Sequence, residues 1–193
     1  MKNKLIVFEG IDGSGKTTLT KMLNQRLNDL KIKSIRLEDL ENKKIGFNLI
    51  KPFIKSQADI NSSLFFYIAS AINKSQKIQN LLKDSWVICD RYVYSTLAYH
   101  KLRGANMKLI PDLKLLPIIK PDYYFLITCH EKTRRVRLEK KGTLSPEDQV
   151  PKSKGSLPNR TEAEYKKFKP IIIDNSKSID DSLSQILNYL PLK

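Results

Sequence analysis

The sequence has no apolar run near the ~18 residues that a bilayer-spanning helix needs, and its opening, MKNKLIVFEG, returns to charge too early for a secretory leader. A cytoplasmic protein is expected. Cysteine is scarce: there are two in 193 residues, Cys89 and Cys129, each in an apolar segment and without Cys-x-x-Cys spacing. That excludes a disulfide-stapled scaffold and a cysteine zinc site, and leaves both as core residues. Acidic charge is outnumbered, 20 Asp and Glu against 35 Lys and Arg, for a formal net charge of +15. The surplus favours anionic partners. The lysines are nevertheless spread along the whole chain with no aromatic-interleaved basic block, so a solvated lysine-rich surface is expected and not a nucleic-acid interface. Internal repeats are also missing. The length, with 40% hydrophobic residues, suits one core in a single domain spanning 1–193.

Short apolar runs recur between longer amphipathic segments: Leu5 to Phe8, Ser34 to Leu37, Trp86 to Cys89, Tyr123 to Thr128 and Ile171 to Ile173. They read as five buried parallel strands. Leu19, Met22, Leu23, Leu27 and Leu30 repeat at helical spacing after the first. Ile179, Leu183, Ile186, Leu187 and Leu190 do so near the end, behind Ser178 as N-cap and Asp180 and Asp181 in the first turn. Strands alternating with helices predict an α/β fold with a mainly parallel sheet. The stretch Gly142 to Arg160, GTLSPEDQVPKSKGSLPNR, breaks the rhythm with two glycines and three prolines after a basic helix over Glu131 to Lys141. It reads as a long loop of the kind that serves as a lid.

The stretch FEGIDGSGKTT, Phe8 to Thr18, follows the first strand and opens a helix. Gly10, Gly15, Lys16 and Thr17 fit G-x-x-x-x-G-K-S/T in the strand-loop-helix context that this phosphate-binding motif requires. Backbone N–H groups of Gly10, Ile11, Asp12, Gly13, Ser14 and Gly15 can wrap an anion, and the helix N-terminus at Thr17 and Thr18 adds partial positive charge. Lys16 reaches the outer phosphates and the Thr17 hydroxyl can ligate Mg²⁺. An ATP-type triphosphate with its magnesium is expected here. Asp12 repels phosphate, so it faces either a sugar hydroxyl or its own turn. The motif alone does not separate a kinase from an ATPase or a switch.

A second motif, DRYVYSTLAYH from Asp90 to His100, follows the strand Trp86 to Cys89. A carboxylate at the carboxyl end of a parallel strand in this kind of fold is placed to hold magnesium, and Arg91 sits beside the same cleft. With these two motifs the chain resembles the thymidylate kinase family of P-loop nucleoside monophosphate kinases. The family's F-E-G-x-D-G-x-G-K-T/S-T is present as FEGIDGSGKTT, and its D-R-Y/F-x-x-S-x-x-A-Y-Q as DRYVYSTLAYH with His100 in the last place. PDYYFLI, Pro121 to Ile127, is similar to the family's P-D-x-x-x-x-L strand, and IIIDNSKSIDD, Ile171 to Asp181, to its last strand and adenine-side loop with Asn175.

The resemblance implies a five-stranded P-loop fold with a lid at about 137–160, transfer of phosphate from ATP to dTMP, and a homodimer. It implies that Asp12 binds the 3′-hydroxyl, Arg91 the acceptor phosphate and Thr96 the base side, while Tyr99 crowds the 2′ position. Phe66 aligns with the aromatic that stacks on thymine, with Phe65 or Tyr67 as neighbours in a shifted alignment. The acceptor needs no strong base, so cations carry the chemistry: Lys16, Mg²⁺ held by Thr17 and Asp90, Arg91, and one arginine more. The P-loop place for that arginine is Gly13, which sends the role to the lid and to Arg137, with Arg134, Arg135, Lys141 and Arg160 nearby.

The chain departs from the family at named places. The base-reading arginine of F-x-A-x-R falls on Ser70, with Asn73 or Lys74 a turn further on. R-E-P appears as RLED, Arg36 to Asp39, and the arginine expected after Gly46 is at best Lys51. Other readings are a kinase for another pyrimidine nucleoside monophosphate or a deoxynucleoside, and, from another class, a regulatory or nucleic-acid-associated P-loop ATPase.

Overall fold

In the computed structural model the described residues are 2–37, 54, 58–143 and 156–192. Five strands lie in one sheet in the order β2-β3-β1-β4-β5: β1 Leu5–Glu9, β2 Ser34–Leu37, β3 Trp86–Asp90, β4 Tyr123–Thr128 and β5 Ile171–Asp174. Every pairing is parallel, with Phe8 opposite Asp90 and Glu9 opposite Leu126. The predicted α/β architecture is the observed one. Among the described residues the α-helices of two turns or more are α1 Lys16–Asp29, α2 Ile60–Leu81, α3 Val93–Leu102, α4 Glu131–Lys140, α5 Leu157–Lys166 and α6 Ile179–Tyr189.

Alternation along β1 divides the core between the two faces of the sheet. Leu5 and Val7 join Leu64, Ile68, Ala71 and Ile78 of α2, while Ile6 and Phe8 join Leu19, Leu23 and Leu27 of α1 and Ile186 of α6. A strand covered on both faces carries no polar alternation, which is why LIVF reads as a continuous apolar run. The edge strand β5 departs from the expectation of a fully buried run, since Ile172 is 50% exposed. Cys89 lies in the first cluster, whereas Cys129 is buried beneath the Gly13 carbonyl, 3.9 Å from its Sγ.

The order β2-β3-β1-β4-β5 puts the first strand in the middle of the sheet, with connections leaving in opposite directions on its two sides. In a parallel α/β sheet, ligands bind in the crevice beyond the carboxyl ends of the strands at that switch point. The loops after β1 and β3 meet there. The end of the chain follows its predicted pattern, with the Ser178 hydroxyl accepting from the Asp181 amide to cap α6. The long loop expected over Gly142 to Arg160 is corrected at its end: Leu157 to Arg160 are the first turn of α5, with Pro158 at a position where its missing N–H costs nothing. Of the expected lid, about 137–160, residues 144–155 lie outside the described residues, as do Glu38, Asp39, Gly46 and Lys51.

Candidate active site

The loop between β1 and α1 is built for close approach. Gly10 has φ 147° and a Cβ there would strike the Ile127 carbonyl of β4; Gly15 has φ 98° and a Cβ there would strike the Asn175 side-chain amide. Both positions require glycine. Lys16 opens α1 at 6% exposure, and its Nζ donates to the Ile11 carbonyl at 2.9 Å. Burial, helped by the neighbouring Arg91 charge, lowers its pKa to about 8. The Ser14 hydroxyl is buried inside the loop with no partner among the described residues. A buried polar group of this kind calls for a ligand atom. Ile11 is buried, while the side chains of Asp12, Thr17 and Thr18 face solvent.

Three residues hold this loop from behind. Arg134 is 1% exposed; it grips Glu131 with two hydrogen bonds of 2.8 Å and reaches the Asp12 carbonyl at 3.4 Å. Arg137, the expected lid cation, donates to the Ser14 carbonyl at 3.2 Å and to the Asn175 carbonyl at 3.1 Å. Asn175 is fully buried and donates to the Ser14 carbonyl at 2.8 Å. Arg137 and Asn175, read from the sequence as ATP contacts, here pack against the carbonyl side of the phosphate loop.

The metal side is compact. Thr17 Oγ1 donates to Asp90 Oδ2 at 2.5 Å, joining the first turn of α1 to the end of β3. A hydroxyl and a single carboxylate are hard oxygen donors of the kind Mg²⁺ shares with nucleotide phosphates. The donor set therefore fits the expected ion, and no group of three or more His, Cys, Asp or Glu with metal-site geometry occurs among the described residues.

Arg91 is held from several sides in the cleft. Its guanidinium pairs with the Asp12 carboxylate, donates to the Tyr165 hydroxyl at 3.1 Å and lies over the Tyr99 ring, 5.6 Å from its centre. Its backbone is in the left-handed region, φ 66°, which costs a non-glycine residue about 1–3 kcal/mol and persists only where surroundings enforce it. They do so on three sides. The Arg91 amide donates to the Phe8 carbonyl at 2.9 Å. The Arg91 carbonyl accepts from Lys74 Nζ at 2.7 Å, and the next amide, that of Tyr92, donates to Glu9 Oε1 at 2.8 Å. Glu9 also accepts from the Ser95 amide at 3.0 Å, so a carboxylate from β1 caps α3 in place of a local side chain. Burial pushes Glu9 up to about 7, against the pull of Arg91.

Toward the base side, Phe66 is half-buried on α2 with its ring edge-on to Tyr67 at 5.4 Å, and Ser70 lies one turn further along. Phe65 points to solvent, 47% exposed. Thr96 gives its carbonyl to His100 Nδ1 at 2.8 Å, and the Ser63 hydroxyl meets His100 Nε2 at 3.0 Å. Tyr99 stands edge-on to Tyr165, 6.5 Å between ring centres. Of the two residues a turn beyond Ser70, Asn73 is exposed and Lys74 turns into the protein toward Arg91.

The structure thus brings Lys16, Thr17, Asp90, Arg91, Asp12 and Tyr99 to one cleft, as their motifs require. Sequence reasoning missed Glu9 and Tyr165, and it named Lys74 only as a stand-in on the base side, whereas its ammonium meets the Arg91 carbonyl. Glu9 carried a signal, an acid at the end of a strand otherwise wholly apolar. Lys74 carried one too, because it falls in the buried stripe Leu64, Ile68, Ala71, Ser75, Ile78 of α2. Tyr165 carried none.

The family model for thymidylate kinase matches residues 8–186. A protein of Methanocaldococcus jannaschii named probable thymidylate kinase is 29% identical over 191 residues, covering 97% of this chain and 96% of its own. One of Methanococcus maripaludis, named likewise, is 32% identical over 195 residues, covering 97% and 95%. The crystal structure of thymidylate kinase from Ehrlichia chaffeensis superposes with a TM-score of 0.68 at 22% identity, over 98% of this chain and 99% of that one, which speaks for the fold. With its two nucleotide motifs meeting in one cleft, the chain belongs to the thymidylate kinase family.

Proposed function

We propose that this protein transfers the γ-phosphoryl group of ATP to dTMP, giving ADP and dTDP. The observation that carries the reading is the meeting of two anion-holding ends: the phosphate loop with Lys16, and Arg91 held beside it against Asp12 and Tyr165. An acceptor-phosphate oxygen attacks the γ-phosphorus, and the bond from that phosphorus to the β–γ bridging oxygen breaks. The acceptor is already ionised at neutral pH, so the barrier lies in bringing anions together. Lys16 and the loop amides take the donor phosphates, and Arg91 takes the acceptor. Thr17 and Asp90 would hold Mg²⁺, which neutralises charge on the β and γ phosphates when bound. Arg137 serves the donor side from its position against Ser14, Asp12 is freed for the sugar 3′-hydroxyl when Arg91 turns to phosphate, and Tyr99 limits room at the 2′ position.

The proposal extends to one kinase domain over the whole chain, with the lid about 137–160, and to a homodimeric enzyme of the cytoplasm; the family resemblance supports these. No helix among the described residues is long and apolar enough to cross a membrane. A second reading, another pyrimidine nucleoside monophosphate as acceptor, is favoured by one observation: serine at position 70, where the family has a base-reading arginine. A coupled assay of ADP release with dTMP, dUMP, dCMP and UMP decides. Transfer to dTMP well above the others supports the proposal; ATP hydrolysis without acceptor dependence overturns it.

A further inference from the structure

A lysine on the core-facing stripe of a helix is costly to bury, and the cost is met only where the ammonium has an assigned partner. Lys74 is 5% exposed, between Ala71 and Ile78 of the buried face of α2, and its Nζ donates to the Arg91 carbonyl at 2.7 Å. The other end of the same peptide group, the Tyr92 N–H, donates to Glu9 Oε1 at 2.8 Å. One peptide plane is therefore held between a buried ammonium from α2 and a buried carboxylate from β1. Charged partners make the stronger class of hydrogen bond, and a peptide fixed at both its oxygen and its nitrogen cannot rotate without losing both. With the preceding peptide held by the Arg91 amide on the Phe8 carbonyl at 2.9 Å, that plane fixes the left-handed turn of Arg91, φ 66°. Ser75, the next residue of α2, is hydrogen-bonded to the Tyr92 hydroxyl and accepts from the Ile119 amide at 3.2 Å, so α2 grips both residues of the peptide.

We propose that Lys74 is a positioning residue for phosphoryl transfer: it locks the Arg91–Tyr92 peptide so that the Arg91 guanidinium is presented to the acceptor phosphate. The inference deepens the proposed function and rests on Arg91 receiving that phosphate. It also gives a role to the lysine that sequence comparison leaves beside the missing base-reading arginine. Lys74 acts through Arg91, not on the nucleotide base.

The test is a set of variants, Lys74→Met, which keeps the stem and removes the charge, Lys74→Arg, which keeps a cation, and Lys74→Met in an Arg91→Lys background. Lys74→Met is expected to lower kcat/KM for the monophosphate about 10²-fold, the order lost when a reacting group shifts by about an ångström. Its affinity for a non-hydrolysable ATP analogue stays within about twofold, and Lys74→Arg recovers part of the loss. In the Arg91→Lys background the same substitution costs less than about threefold, because residues acting through one another are not additive. Unchanged kcat/KM in Lys74→Met, an equal loss of ATP-analogue affinity, or a full 10²-fold further loss beside Arg91→Lys each overturns the proposal. Wild type is assayed on dTMP, dUMP, dCMP and UMP together. Preference for another of these defeats the dTMP assignment, and Lys74 is judged on the preferred acceptor. Transfer to none defeats the function, and Lys74 is then judged from crystal structures of wild type and Lys74→Met: Arg91 leaving the left-handed region supports its role, and Arg91 unmoved refutes it.

Discussion

The guanidinium of Arg91, leaving β3, is paired with the carboxylate of Asp12, leaving β1, across the mouth of the cleft. Each was expected on a part of the acceptor, and here each holds the other. The Asp12 side chain is 73% exposed and that of Arg91 20%, so solvent reaches the pair from the Asp12 side. Under the proposed function the two halves of the pair separate onto acceptor phosphate and sugar.

Arg91→Ala is expected to reduce phosphoryl transfer by about 10³-fold or more, the scale for a cation on a transferring phosphate, with ATP-analogue binding nearly intact. Single-turnover transfer and analogue calorimetry check this. Equal losses in both contradict an acceptor-side role.

Asp90→Asn should raise the Mg²⁺ concentration that half-saturates activity by about 10-fold or more, since it removes the charge that faces the Thr17 hydroxyl at 2.5 Å. A Mg²⁺ titration at saturating ATP measures it. An unchanged midpoint would remove Asp90 from the metal site.

Lys16 gives a pH signature in binding. With its pKa lowered to about 8, the empty loop loses its ammonium as pH rises through that value, and bound triphosphate favours the charged form. ATP-analogue affinity should fall above about pH 8, with proton uptake on binding visible as buffer-dependent enthalpy. Affinity flat from pH 7 to 9.5 contradicts the buried, depressed lysine.

Glu9 gives one in stability. Its folded pKa of about 7 lies above the ordinary 4.5, so between these values the folded chain keeps a proton that the unfolded chain has lost. Its stabilising share is complete below pH 4.5 and is lost as pH rises through about 7, on the order of 3 kcal/mol. The difference in denaturant stability between wild type and Glu9→Gln should shrink or reverse across that window. Parallel curves would contradict a raised Glu9 pKa.

The glycines, Lys16, Thr17 and the Asp90-Arg91 pair were legible because motifs set by backbone geometry tolerate few substitutes. The strands were legible because a sheet covered on both faces must be apolar throughout. Ile172 was misread since three isoleucines look alike whether a strand is central or at the edge. The start of α5 was hidden by Gly155 and Pro158, which signal a loop equally well when one precedes a helix and the other sits in its first turn. Lys74 shows in the sequence as a charge inside an apolar stripe, but its partner, the Arg91 carbonyl, does not; Tyr165 is a phenol brought to Arg91 only by the packing of α5.

The two-ended cleft is tested most directly by calorimetric titration with a bisubstrate compound in which adenosine and thymidine are joined through five phosphates. One compound is expected to bind per chain, far more tightly than ATP or dTMP, and both Lys16→Ala and Arg91→Ala should weaken it. Binding no tighter than ATP alone, or weakened only by the loss of Lys16, would show that Arg91 does not face the same cleft as the phosphate loop.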